Sequence, residues 1–89
     1  MTVSKHVLYS GRVQGVGFRY TAKHLSNGFA VAGYVRNCPD GRVELLAQGT
    51  KDQVDGFLAA IAQQLAGCID KQEVQDQPPV DVQGFNIIR

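Results

Sequence analysis

The sequence predicts an α+β fold in which two helices cover one face of a mixed, mainly antiparallel sheet. Two stretches carry apolar residues at helical spacing, and several others alternate between apolar and polar residues as strands do. The elements follow one another as β-α-β-β-α-β, with a short strand at the end. Since no repeat, low-complexity tract or linker divides the 89 residues, we expect one domain spanning residues 1–89.

The first strand and first helix are separated by a glycine-rich segment. The strand is predicted over Lys5–Val13, where alternate residues are apolar, and the helix over Phe18–Ser26. Asn27-Gly28 predicts a left-handed turn at the end of this helix. The inner stripe of the helix recurs at i, i+4 and i+7 and consists of Phe18, Ala22 and Leu25.

The next two strands form a predicted hairpin. The second strand covers Ala30–Asn37 and the third Val43–Gly49. Between them lies Cys38-Pro39-Asp40-Gly41, where proline cannot continue a ladder and Asp-Gly favours a tight turn. The third strand should therefore run antiparallel to the second.

The second helix is predicted to begin at a capping box formed by Thr50 and Gln53 and to end before Gly67. Its apolar stripe consists of Val54, Phe57, Leu58, Ile61 and Leu65. The polar stretch Ile69–Gln75 suits a partly exposed edge strand, because polar side chains discourage pairing with other chains. After Pro78-Pro79 breaks the chain, Phe85-Asn86-Ile87-Ile88 adds a short last strand.

This element order is the split βαβ, or ferredoxin-like, pattern. A right-handed crossover makes the first and second strands parallel, with the third strand inserted between them. The loop after the first strand and the turn after the second then emerge at the same end of the sheet. We therefore expect residues 14–19 to lie close to Asn37.

Composition excludes several classes of function. The net charge is +1 and the Lys and Arg residues are scattered, which disfavours nucleic-acid binding because that needs clustered cations. No apolar run approaches the roughly 20 residues of a membrane-spanning helix or provides a secretory h-region, so we expect a cytoplasmic protein without membrane contact. Cys38 and Cys68 lack metal-ligand spacing, and two free thiols are favoured over one disulfide.

The glycine-rich loop is a candidate anion site, because such turns direct backbone N–H groups and a helix N-terminus toward one point. The alternative is a simple tight turn, since the loop matches neither a dinucleotide fingerprint nor a P-loop. Arg19 favours the site, because its planar fork can make paired hydrogen bonds to phosphoryl oxygens. Asn37 by itself is typical of a turn-former, and only its expected proximity to the loop suggests more.

Two stretches resemble signatures of the acylphosphatase family. Gly11–Arg19 resembles the first signature and Gly33–Glu44 the second, and the similarity runs nearly end to end. The resemblance implies hydrolysis of acyl phosphates to a carboxylate and inorganic phosphate. Because the carboxylate leaves without protonation, and backbone amides and Arg19 can hold the phosphoryl oxygens, we expect no metal or cofactor. It also implies that Arg19 binds phosphate and Asn37 orients water. The implied phosphate loop consists of Gln14, Gly15, Val16, Gly17, Phe18 and Arg19.

The sequence departs from the family pattern at two positions: Tyr34 stands where tryptophan is common, and Cys38 where a small hydroxyl residue is common. We expect a monomer that takes a small acyl phosphate as substrate and inorganic phosphate as product or inhibitor. His6 and His24 are interpreted as structural or surface residues. Two alternatives remain: a phosphate- or RNA-binding module of the same fold, and a carbamoyl-phosphate-hydrolysing domain, for whose larger machinery this chain has no room.

Overall fold

The computed structural model describes residues 1–88, in which five strands and two helices follow the predicted order. The strands are β1 (Thr2–Gly11), β2 (Val31–Asn37), β3 (Val43–Thr50), β4 (Ile69–Gln77) and β5 (Phe85–Ile87). The helices are α1 (Phe18–Ser26) and α2 (Lys51–Gln64). Neither helix combines the length and apolarity that crossing a bilayer requires.

The five strands form one sheet in the order β4-β1-β3-β2-β5. β3 is antiparallel to both β1 and β2, so β1 and β2 run parallel with β3 between them, as predicted. β4 pairs antiparallel with β1 at one edge, and β5 pairs parallel with β2 at the other. The predicted ferredoxin-like arrangement, with two helices on a mixed and mainly antiparallel sheet, is confirmed.

The hydrophobic core lies between the sheet and the helices. Tyr9 on β1 packs against Phe18, the first residue of α1, with ring centroids 4.9 Å apart. Phe57 on α2 packs edge-on against Phe85 on β5 at 5.1 Å. Burial of one such side chain is worth roughly 1.5 to 3 kcal/mol. The contact between Tyr9 and Phe18 therefore fixes the start of α1 above the end of β1.

The ends of the helices differ in part from the prediction. The Thr50 hydroxyl accepts a hydrogen bond from the Gln53 N–H at 3.4 Å, which is one half of the capping box. The Gln53 side chain instead accepts from the Ala30 N–H at 2.8 Å, and thereby ties α2 to the start of β2. The left-handed turn predicted at Asn27-Gly28 is wrong: Asn27 is right-handed, with φ −65°, and both N–H groups bond to carbonyls three residues earlier.

The strand β1 lies closer to the N-terminus than predicted, at Thr2–Gly11 and not at Lys5–Val13. The strand begins at Thr2, because Thr2 and Val3 pair with the end of β3. It ends at Gly11, where φ is +124° and the pairing with β4 shifts register. A Cβ atom at Gly11 would lie 2.6 Å from the Cys68 carbonyl oxygen. Glycine is thus required here by both its conformation and the close approach of the neighbouring backbone.

A charged cluster occupies the sheet face opposite the helices. One carboxylate oxygen of Glu44 lies 2.6 Å from the His6 ring nitrogen, and the other accepts a hydrogen bond from the Arg36 guanidinium. The Glu44 side chain is only 15% exposed. Burial opposes its ionisation, but the hydrogen bonds with His6 and Arg36 outweigh burial and lower the pKa of Glu44 below its ordinary value.

Glu44→Gln is expected to lower the free energy of unfolding by about 1 kcal/mol at pH 7, because partial exposure screens the lost interactions. A lowered pKa in the folded state means that the stabilisation is present above the unfolded-state pKa and is lost as pH falls through the folded value. Urea unfolding at pH 7 and near pH 3 measures this. The difference in the free energy of unfolding between the wild type and Glu44→Gln should shrink at low pH. Glu73→Gln, at an exposed ion pair on β4, should change the free energy of unfolding little at either pH.

Candidate active site

A cavity of about 210 Å³ lies where the end of β1, the start of α1 and the end of β2 meet. It is lined by Val13, Gly15, Gly17, Phe18, Arg19, Tyr20 and Asn37. The structure thus brings the glycine-rich loop and Asn37 together, as the topology predicts. Gln14 and Val16, which were also expected in the loop site, do not line the cavity.

The loop leaves a row of backbone donors without protein acceptors. Gly15 and Gly17 adopt left-handed conformations with φ of +76° and +78°. Gly17 caps α1 without a side-chain hydrogen bond, and the first helical bond runs from the Thr21 N–H to the Gly17 carbonyl at 2.9 Å. Within residues 1–88, no hydrogen bond is donated by the N–H groups of residues 15–20. These groups remain available to an anion.

Arg19 places a cation on the first turn of α1, beside these donors. Its side chain is partly buried and lines the cavity. In the part of the chain described, its guanidinium forms neither an ion pair nor a hydrogen bond. The first turn also carries no acidic residue that could neutralise it. The five N–H donors of the guanidinium are therefore free for a ligand.

Asn37 is the last residue of β2. It has the same strand parity as the buried residues Gly33 and Val35, so its side chain lies on the helix side of the sheet. Its backbone is held in register opposite Val43. Its carboxamide makes no hydrogen bond to another residue in the range 1–88. The paired strand thus presents to the cavity an amide that has no hydrogen-bond partner within residues 1–88.

Gln14 connects the loop to the hairpin between β2 and β3. Its side-chain amide donates to the carbonyl of Cys38 at 2.8 Å and to that of Arg42 at 2.9 Å. The sequence prediction included Gln14 only as part of the backbone cradle. Sequence pattern offered no signal for the bridge, because the partners are main-chain atoms more than twenty residues away.

The two departures from the family pattern lie outside the cavity lining. Tyr34 is opposite Leu46 on the sheet face away from the helices. Cys38 acts through its backbone: its N–H donates to the Arg42 carbonyl at 2.8 Å, and its own carbonyl accepts from Gln14. Cys38 and Cys68 are both free thiols. The hairpin that follows Asn37 is therefore held by main-chain hydrogen bonds and by the side chains of Gln14 and Asp40, without a hydroxyl group at position 38.

Tyr20 is a cavity residue that the sequence reasoning missed. It lines the cavity next to Arg19, and 68% of its surface is exposed. Sequence pattern offered no signal for it, because Tyr20 lies outside the apolar stripe of α1 and single exposed aromatic residues are common on protein surfaces.

Comparison with known proteins agrees with this geometry. A family model described as Acylphosphatase matches residues 5–87. The chain belongs to the acylphosphatase family. An acylphosphatase of Acaryochloris marina is 38% identical over 81 residues, covering 90% of this chain and 87% of the relative. An acylphosphatase of Alcanivorax borkumensis is 52% identical over 60 residues, covering 67% of this chain and 65% of the relative. The acylphosphatase crystal structure from Bacillus subtilis superposes with a TM-score of 0.87 at 29% identity and covers both chains fully.

Gln14→Glu tests the bridge between loop and hairpin in this acylphosphatase-family chain. The substitution keeps the shape of the side chain but replaces a donor with an acceptor that faces two carbonyl oxygens. Each lost hydrogen bond is worth about 0.5 to 1.5 kcal/mol, so the free energy of unfolding should fall by about 1 to 3 kcal/mol in chemical denaturation. Gln63→Glu, at an exposed position on α2, is the matched control. Equal stability of the two variants would contradict the bridging role.

Proposed function

We propose that the chain is a single-domain, metal-independent enzyme that hydrolyses the carboxyl–phosphate bond of acyl phosphates to a carboxylate and inorganic phosphate. The family to which it belongs acts on small acyl phosphates. The observation that carries the proposal is the convergence on one cavity of Arg19, Asn37 and the loop that holds the free N–H groups of residues 15–20.

The loop and Arg19 bind the phosphoryl group. Backbone N–H groups and the positive end of α1 attract its oxygens, and the Arg19 guanidinium adds paired, charge-assisted hydrogen bonds. Phosphoryl transfer proceeds through a loose transition state with charge spread over three oxygens. Donors that are fixed before the reaction stabilise this charge without reorganising, which lowers the barrier.

Asn37 positions the attacking water. An amide is not a base at neutral pH, but its carbonyl oxygen accepts a hydrogen bond and its NH₂ group donates. Its place at the end of a paired strand limits its freedom, which suits a residue whose contribution is orientation. An oxygen of the bound phosphate receives the proton that the water loses, so no protein base is required.

The leaving group explains why neither an acid nor a metal is needed. A carboxylate is a weak base, whose conjugate acid has a pKa of about 4 to 5 judging from side-chain carboxyl groups, and it departs without protonation. Arg19 and the loop amides supply the positive charge that a metal would otherwise provide.

The proposal also includes a monomeric, cytoplasmic enzyme with inorganic phosphate as product and inhibitor. The free thiols suit a reducing compartment. The nucleic-acid alternative has little support, because the net charge is only +1.

Release of phosphate from benzoyl phosphate, with phenyl phosphate as a monoester control, tests the proposed activity directly. We expect hydrolysis of benzoyl phosphate only, because phenolate is a much poorer leaving group than benzoate. The rate should be unchanged after exhaustive treatment with a chelator. Failure to hydrolyse benzoyl phosphate would favour a non-catalytic binding module. A chelator-induced loss that added metal restores would overturn the metal-independent mechanism.

Substitutions at Arg19 and Asn37 should separate phosphate binding from water positioning. Arg19→Ala is expected to weaken inhibition by inorganic phosphate and to abolish most turnover, since it removes the charged fork. Asn37→Ala should keep the affinity for phosphate and lower kcat by roughly 10²-fold, the effect of losing one well-placed polar contact.

Steady-state kinetics with phosphate as competitor measure both quantities. Arg12→Ala and Asn27→Ala, at exposed positions away from the cavity, are the matched controls and should retain wild-type values. If both active-site variants weakened phosphate binding equally, the division of roles would be wrong.

A further inference from the structure

A second and larger cavity of about 450 Å³ lies on the outer side of the helices, between α1 and the C-terminal end of α2. We call it the helix groove. It is lined by Tyr20, Thr21, His24, Leu25 and Gln64. Tyr20 also lines the smaller cavity that contains Arg19 and Asn37. The two cavities therefore have this one residue in common.

The sizes of the two cavities differ in a way that matters for the substrate. Ligand sites in proteins commonly measure roughly 300 to 1,000 Å³. The smaller cavity, at about 210 Å³, suits a phosphoryl group and an attacking water but leaves little room for a bulky acyl group. The helix groove, at about 450 Å³, is within the common range. A third cavity, near Thr2 and Lys51, lies at the opposite end of the sheet and cannot take part.

The lining of the helix groove combines apolar and polar surfaces. The exposed ring of Tyr20 and the half-buried side chain of Leu25 provide apolar contact. His24 and Gln64 supply hydrogen-bonding groups, and no carboxylate lines the groove. A flat apolar group with a polar or anionic edge is complementary to such a surface, because aromatic rings stack on one another and their polar edges need partners.

We propose that the helix groove binds the acyl group of the substrate and favours aromatic acyl phosphates over acetyl phosphate. The acyl ring packs against Tyr20 and Leu25, and polar substituents on it reach His24 or Gln64. This inference rests on the proposed function, since it assigns the part of the substrate that extends from the phosphate cavity. Tyr20 is then a specificity-determining residue at the junction of the two cavities.

The ratio of kcat/KM for benzoyl phosphate to that for acetyl phosphate tests the inference. Tyr20→Ala should lower this ratio by about three- to tenfold, the effect of losing one aromatic contact. Gln64→Trp should lower it as well, by filling the groove. Gln63→Trp is the matched control: it places the same side chain at the adjacent exposed position, outside the groove, and should keep the wild-type ratio.

The ratio does not depend on the fraction of enzyme that is folded, so partial unfolding of a variant cannot imitate the expected result. If the wild type hydrolyses both substrates and the ratio is the same in all three variants, the groove does not bind the acyl group. If the wild type hydrolyses neither, the proposed function is wrong and the inference falls with it. A lowered ratio in Gln63→Trp equal to that in Gln64→Trp would also overturn the inference.

Discussion

The pairing of β3 with both β1 and β2 is the constraint on which the rest of the structure depends. β3 is matched residue by residue with each neighbour, so β1 and β2 run parallel and finish at the same end of the sheet. Each of these strands is followed by a turn, and the two turns are brought together without any long connection. The Gln14 amide then joins them through two main-chain carbonyls. Residues from distant parts of the sequence thus meet at one cavity because of the strand order and the Gln14 contacts.

The site keeps groups unpaired that a structure selected only for stability would satisfy. The N–H groups of residues 15–20, the Arg19 guanidinium and the Asn37 carboxamide have no partners among residues 1–88, and two glycines hold left-handed backbone conformations. Exposure to water reduces the cost of leaving these groups without partners. The packing of Phe18 on Tyr9 anchors the end of the loop to the core. Phe18 thus belongs both to the hydrophobic core and to the cavity lining.

Most of the fold could be predicted from the sequence, and the exceptions have physical causes. The limits of α1 agree with the prediction because Phe18 and Ala22 are buried and Leu25 packs partly against the core, as the predicted stripe requires. The limits of β1 were misplaced, since register and the close approach at Gly11 depend on strands distant in sequence. The site was likewise predicted only in part. Residue types and strand order suggested Arg19 and Asn37, but the Gln14 bridge and the Tyr20 junction depend on side-chain positions that no local pattern encodes.

The polar character of β4 affects whether copies of the chain can associate by pairing strands at the edge of the sheet. β4 forms one edge of the sheet, and seven of its nine residues are exposed, among them Lys71, Glu73 and Asp76. An incoming strand from another molecule would have to strip water from these charges before forming main-chain bonds. Growth of the sheet from chain to chain is therefore opposed at this edge. On this edge charged side chains flank the exposed Val74 and oppose its contact with a strand of another chain.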